Sequence, residues 1–324
     1  MKHITPVIAP EEQWIDLRDS IMGAIIQKAS LNSNIVVLDA DVSKSTRSRQ
    51  FGKVFPSRFF NVGIAELHMA SMAAAMAAEG LVPCVCSFAA FLALRALEPV
   101  RTQIAYPQLP SVLLGGYAGL SAMQHGPTHQ CLVDMAIYNS IQGMTVLSPS
   151  DSRSAADLAA QAIDSGKPVY IRAGYNVQRP IYSPGQVEIG SCYQLSEGTD
   201  ILLISTGLLT ANTLYAADLL RQECIRACVL DCPTIKPFPR EDIAALAHKF
   251  DAVITIEDHV RSGGLYSQVV TTLQEAGCYA QVHGINMGDS FAQSAPLDTL
   301  QHLYGMGPVE IACTAKRVLQ QLHA

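Results

Sequence analysis

Four short stretches carry side chains whose types and spacing could do chemistry. In Asn61-Val-Gly-Ile-Ala-Glu-Leu-His68, Glu66 is the one formally charged side chain between Arg58 and Glu79. A carboxylate in such apolar surroundings has to be neutralised, paired or put to work. It falls in the first turn of an expected helix, so a purely structural use as a dipole partner or cap stays open. Phe88 and Phe91, in Ser87-Phe-Ala-Ala-Phe-Leu-Ala-Leu-Arg-Ala-Leu-Glu98, could form a flat apolar wall for a ring or simply a core aromatic pair. Gln124-His-Gly-Pro-Thr-His-Gln130 places His125 and His129 in a polar loop, awkward as core and typical of functional loops on α/β scaffolds. Arg172 stands at the C-terminal end of an expected strand, where ligand sites of such folds gather.

The elements that must position these residues alternate between β-rich and helical runs, which predicts an α/β fold of two doubly wound, mainly parallel-sheet domains. Asn34 to Leu38, Val82 to Ser87, Ser111 to Leu114, Thr145 to Leu147 and Val169 to Arg172 read as strands. A helix rich in Ala and Met should start near Ala65 and stop at Gly80. Ser148-Pro-Ser-Asp151 marks another helix start by its capping chemistry. Two prolines and a glycine in Arg179–Gln186 read as a linker, so the chain is expected to divide into residues 1–184 and 185–324. Beyond it Ile201–Ser205, Ala227–Asp231 and Ala252–Ile256 read as strands, with a helix over Thr210–Gln222. Small residues on nearly every face of the Ala/Met helix suit close helix packing across a subunit interface, or a core helix chosen for propensity.

Composition narrows the partners. Of 324 residues, 49% are hydrophobic and 15% charged, and the mean hydropathy is +0.21. That is a thin supply of surface charge, which points to surface buried against other chains. The longest apolar run, Cys84 to Leu94, falls well short of the roughly 20 residues a membrane span needs, so no membrane is expected. A net charge of -6 without a basic run argues against nucleic acid. Nine cysteines, lacking zinc-ligand pairing and scattered over both halves, fit reduced thiols and a cytoplasmic location.

Taken together, Ile-Ala-Glu-Leu-His, Phe-Ala-Ala-Phe with Arg-Ala following, Gly-Pro-Thr-His-Gln and Pro-Ser-Asp resemble the pyrimidine-binding half of the transketolase family, with deoxyxylulose-phosphate synthase sharing much of the pattern. Asp231-Cys-Pro-Thr-Ile-Lys-Pro-Phe238 and Ile256-Glu-Asp-His-Val-Arg-Ser-Gly-Gly264 resemble that family's C-terminal domain. The resemblance implies thiamine diphosphate as cofactor and ketol transfer between sugar phosphates as activity. It makes Glu66 the carboxylate that binds a pyrimidine nitrogen and shares its proton, a role strengthened by an apolar setting. It makes Phe88 and Phe91 the stacking wall and Val42 an apolar wedge beneath the cofactor, with Asp41 a carboxylate nearby. Ser45 and Arg172 match contacts to the substrate's phosphate, and His129 matches a histidine bonded to the reacting oxygens.

Two departures from the pattern matter. Gln124-His125 stands where transketolases usually carry Glu-Asp, so His125 replaces a carboxylate that contacts a substrate hydroxyl. The metal-site signature Gly-Asp-Gly is also missing; the sole Gly-Asp is Gly288-Asp289, and no other cluster of hard oxygen ligands for magnesium stands out. No metal ligand is therefore assigned to this chain. The expectation is one subunit of a split enzyme, active only with its partner: an N-terminal, diphosphate-binding subunit would supply the diphosphate and Mg2+ sites within a heterotetramer. Competing readings are a 2-oxoacid dehydrogenase beta subunit, a synthase-like enzyme, and a scaffold subunit that keeps the fold without chemistry.

Overall fold

A computed structural model gives the architecture, describing residues 1–7, 14–175 and 177–322. The first sheet has seven strands in the order Thr234–Lys236, Thr145–Leu147, Pro168–Ala173, Ser111–Gly116, Val82–Phe88, Ile35–Asp39 and Phe59–Asn61. All pair in parallel except Thr234–Lys236, which lies antiparallel to Thr145–Leu147. The second sheet runs Lys2–His3, Tyr193–Ser196, Ala227–Asp231, Ile201–Ser205, Ala252–Ile256 and Gln281–Ile285. The inner strands are buried from end to end, as in Ile35–Asp39 and Ile201–Ser205, because helices cover both sheet faces.

Each sheet borrows an edge strand from the other half of the chain. Lys2–His3 extends the second sheet, while Thr234–Lys236, inside the motif Asp231 to Phe238, completes the first. A linear division near residue 184 does not anticipate either exchange, because edge pairing depends on backbone hydrogen bonds rather than on periodicity. A short antiparallel ribbon of Ile15–Asp16 with Val177–Gln178 leads into the helix Leu17–Leu31, whose cap is the Asp16 side chain.

The Ala/Met helix spans Glu66–Ala78. Met69, Ala70, Ala73, Ala74 and Ala77 are buried, while Leu67, Ala75 and Ala78 on other faces are exposed. Ile64 and Leu67, at the start of this helix, and Leu94, next to Arg95, are 76%, 58% and 61% exposed. The helix Ser152–Asp164 begins with a complete capping box between Asp151 and Ser154. Among the described residues no helix is long and apolar enough to cross a membrane.

Candidate functional site

The C-terminal ends of the parallel strands in the first sheet converge on one rim. Asp39 ends its strand fully buried and accepts hydrogen bonds from the Val42 amide at 2.7 Å, Thr46 Oγ1 at 2.8 Å and Ser48 Oγ at 2.7 Å. Burial pushes its carboxyl up, against the pull of those donors. These bonds pin the turn that carries Asp41, Val42 and Ser45. Asp41 sits in the left-handed region at φ 63° and accepts from Asn61 Nδ2 at 3.1 Å. Ser45 is half-buried, and its backbone carbonyl accepts from Arg18 Nη1 at 2.6 Å.

Glu66 opens its helix with only 4% of its side chain exposed. Both its oxygens accept from Arg95 Nη1, at 3.1 and 3.3 Å. Of the three options for such a carboxylate, pairing is the one formed here. Phe88, at the strand end, and Phe91, in the following helix Ala89–Leu94, stack with ring centroids 5.5 Å apart and planes 10° from parallel. His129 meets both rings edge-on at 5.7 and 5.3 Å, and His125 lies 5.4 Å from His129. Burial, with the charges of His125 and Arg95, pushes the His129 imidazole down. Its Nδ1 pairs with Thr128 Oγ1 at 2.8 Å.

The loop bearing both histidines is held from outside. Gln130 Nε2 donates to the carbonyls of Met123 and Gln293. Gly126 has a φ of 73°, and a Cβ there would stand 2.5 Å from Ser294 Oγ. Met123 and Tyr117 are also left-handed, at φ 48° and 55°. Such conformations in residues with side chains cost energy and gather at functional rims.

Arg172 does not stand open to a phosphate. Its side chain is 3% exposed; Nη1 donates to Asp258 Oδ1 at 2.7 Å and Nε to Asp134 Oδ2 at 3.1 Å. Burial opposes its charge, but Asp134 and Asp258 overcome this and hold its pKa above the ordinary value. Arg172 forms an ionic clamp between the two halves. Gly119 is required beside it: a Cβ would fall 1.8 Å from Asp258 Oδ2. His259, buried next to the clamp, accepts from the Ala136 amide at Nε2 and donates from Nδ1 to the Val260 carbonyl. The motif Ile256 to Gly264 thus works at the junction of the halves.

Sequence reasoning passed over several residues of the rim. Arg95 had a visible signal, lying in the same stretch as Phe88 and Phe91. Tyr117 and Tyr175 had weaker ones, as single aromatics just beyond strand ends. They sandwich the Arg18 guanidinium, whose carbon is 4.6 and 4.3 Å from their ring centroids. Arg18 is buried, and Asp16 grips it at 2.9 and 2.7 Å. Nothing local in Leu-Arg-Asp foretells that burial.

Two buried carboxyls lie away from the rim. Asp231 accepts from Ser150 Oγ, Tyr182 OH and Thr210 Oγ1, and burial pushes it up to about 7. Glu257 accepts from the Leu265 and Tyr266 amides at the start of a helix, and burial likewise pushes it up to about 7. A carboxyl raised on folding binds its proton more tightly when folded, so its stabilising contribution is full below the unfolded value near 4 and is lost as pH rises to 7. Urea unfolding at pH 5 and pH 8 should show the wild type losing a few kcal/mol more than Asp231→Asn over this interval. Equal losses would mean that Asp231 does not titrate there.

The fold joins two α/β domains, with the rim at the strand ends of the first. Residues 13–176 match the family "Transketolase, pyrimidine binding domain" and residues 190–311 match "Transketolase, C-terminal domain". A putative transketolase C-terminal section of Methanocaldococcus jannaschii is 34% identical, over 92% of this chain and 93% of that protein. A 6-deoxy-6-sulfo-D-fructose transketolase subunit from a Clostridium species is 33% identical, over 96% of both. A solved structure described as a split gene transketolase, inactive beta4 tetramer, has a TM-score of 0.87 at 34% identity, covering 94% of this chain and 99% of that one. The chain belongs to the transketolase family.

Proposed function

We propose that this chain is the C-terminal, pyrimidine-binding subunit of a two-subunit thiamine diphosphate-dependent transketolase, moving a two-carbon ketol unit between sugar phosphates. One observation carries the reading: a buried carboxylate at a helix start, Glu66, linked through Arg95 to the stacked pair Phe88 and Phe91, with exposed Ile64, Leu67 and Leu94 close to these residues in the chain. Those exposed residues suit a diphosphate-binding partner subunit, which would also hold Mg2+, within a heterotetramer. Among the described residues no group of three His, Cys, Asp or Glu is arranged to hold a metal. The nine free thiols suit a reducing, cytoplasmic setting. The matched ranges, 13–176 and 190–311, support a division near residue 184.

The residues present fit the cofactor's pyrimidine. Thiamine diphosphate, when bound, supplies the nucleophilic carbon and electron sink for breaking and making bonds beside a carbonyl. Glu66 would exchange a proton with a ring nitrogen, in a setting too dry for water to compete. Phe88 and Phe91 would stack on the ring and exclude solvent, with Val42 and Asp41 at the neighbouring strand end. His129, held by Thr128, can meet a substrate oxygen by hydrogen bonding. His125 and Ser45 are proposed to meet the substrate further out.

The test is reconstitution of this chain with a diphosphate-binding partner, thiamine diphosphate, Mg2+ and a panel of sugar phosphates. No ketol transfer from any donor overturns the reading. The synthase-like and 2-oxoacid readings are less favoured, because the relatives matched along nearly their whole length are described as transketolase sections or subunits. His125→Asp should restore a carboxylate acceptor for a substrate hydroxyl and raise kcat/KM for hydroxylated acceptors relative to glyoxylate by about 10-fold or more. An unchanged ratio would place His125 outside substrate contact.

A further inference from the structure

The guanidinium of Arg95 lies against both groups assigned to the cofactor ring. Its Nη1 donates to both Glu66 oxygens, at 3.1 and 3.3 Å, and its central carbon stands 4.0 Å from the Phe91 ring centroid. A guanidinium is planar, delocalised and able to present N–H groups to a carboxylate while lying on an aromatic face. A protonated aminopyrimidine offers the same combination. We propose that Arg95 is a positioning residue that keeps the pyrimidine's place in the cofactor-free chain, so that the ring enters by exchange with it. This rests on the thiamine diphosphate reading given above.

Burial explains why a place-keeper is needed. Glu66 is 4% exposed, and a carboxylate so placed is costly without a partner. The helix start offers partial compensation, and Arg95 supplies the rest. Two planar groups cannot occupy one face of Phe91, so a pyrimidine stacking there must turn the arginine out. Its side chain is 51% exposed, which gives the charged head a route into water. Arg18 and Arg172 have no such freedom, being buried in ion pairs.

Calorimetric titration of thiamine diphosphate with Mg2+ into the assembled complex tests the exchange. Arg95→Met keeps an apolar stem over Phe91 and removes the competing cation, so the cofactor should bind about 10-fold more tightly. Arg95→Lys, which keeps the charge without the plane, should gain less, and it serves if the methionine variant does not assemble. In Arg95→Gly, millimolar methylguanidinium should refill the place and weaken cofactor binding competitively, with no effect on the wild type. A merely structural role would not give that rescue. Binding equal to or weaker than wild type in both the Met and Lys variants, with no effect of methylguanidinium, overturns the exchange while leaving the cofactor reading intact. A wild-type complex that binds no thiamine diphosphate overturns both.

Discussion

Glu66→Gln in the assembled complex is expected to lower kcat by about 10²- to 10⁴-fold, the range for losing a positioned acid–base group. The amide keeps the size of the side chain and can still accept from Arg95, so the variant should fold and assemble. It cannot take up or release the proton that a pyrimidine nitrogen must exchange. The side chain is 4% exposed, so water cannot readily replace it. Steady-state turnover with saturating cofactor measures the effect, and circular dichroism checks the fold. Unchanged turnover would favour the scaffold reading, in which Glu66 merely starts a helix.

Arg172→Met is expected to cost about 3–5 kcal/mol of stability, because it leaves two carboxylates facing each other without their cation. Asp134 is wholly buried and Asp258 nearly so. The Asp134 carboxylate also accepts from Tyr170 OH at 2.8 Å, and Asp258 from the Leu120 amide at 3.1 Å, so neither can swing out to water without further loss. The clamp ties the strand Pro168–Ala173 to the motif that follows Ala252–Ile256, so the two halves should unfold less cooperatively. Urea denaturation followed by two probes, one in each half, would record this. A variant of wild-type stability with a raised KM for phosphorylated substrates would instead restore Arg172 to phosphate binding.

These two residues show how far the sequence reaches. Glu66 announced itself, because a lone carboxylate in twenty apolar or neutral residues has few physical uses. Phe88, Phe91, His125 and His129 lie on two short segments whose order is legible, and the structure brings the other three rings within 6.3 Å of Phe88. The ion pairs of Arg172 lie beyond that reach. Its position at a strand end is right, yet its role depends on Asp258, 86 residues away. The same holds for Arg18, whose fate is set by Tyr117 and Tyr175.

The sequence by itself determined the α/β class, most strand positions and the identity of the chemical groups, since periodicity and composition act over a few residues. Tertiary structure decided which charges stay available for chemistry. Ion pairs form between whichever carboxylates and guanidiniums the strand ends bring within about 3 Å of one another in a dry interior, and that adjacency has no local signature. It buried Arg172 and Arg18, left Arg95 half in water, and set it against Glu66.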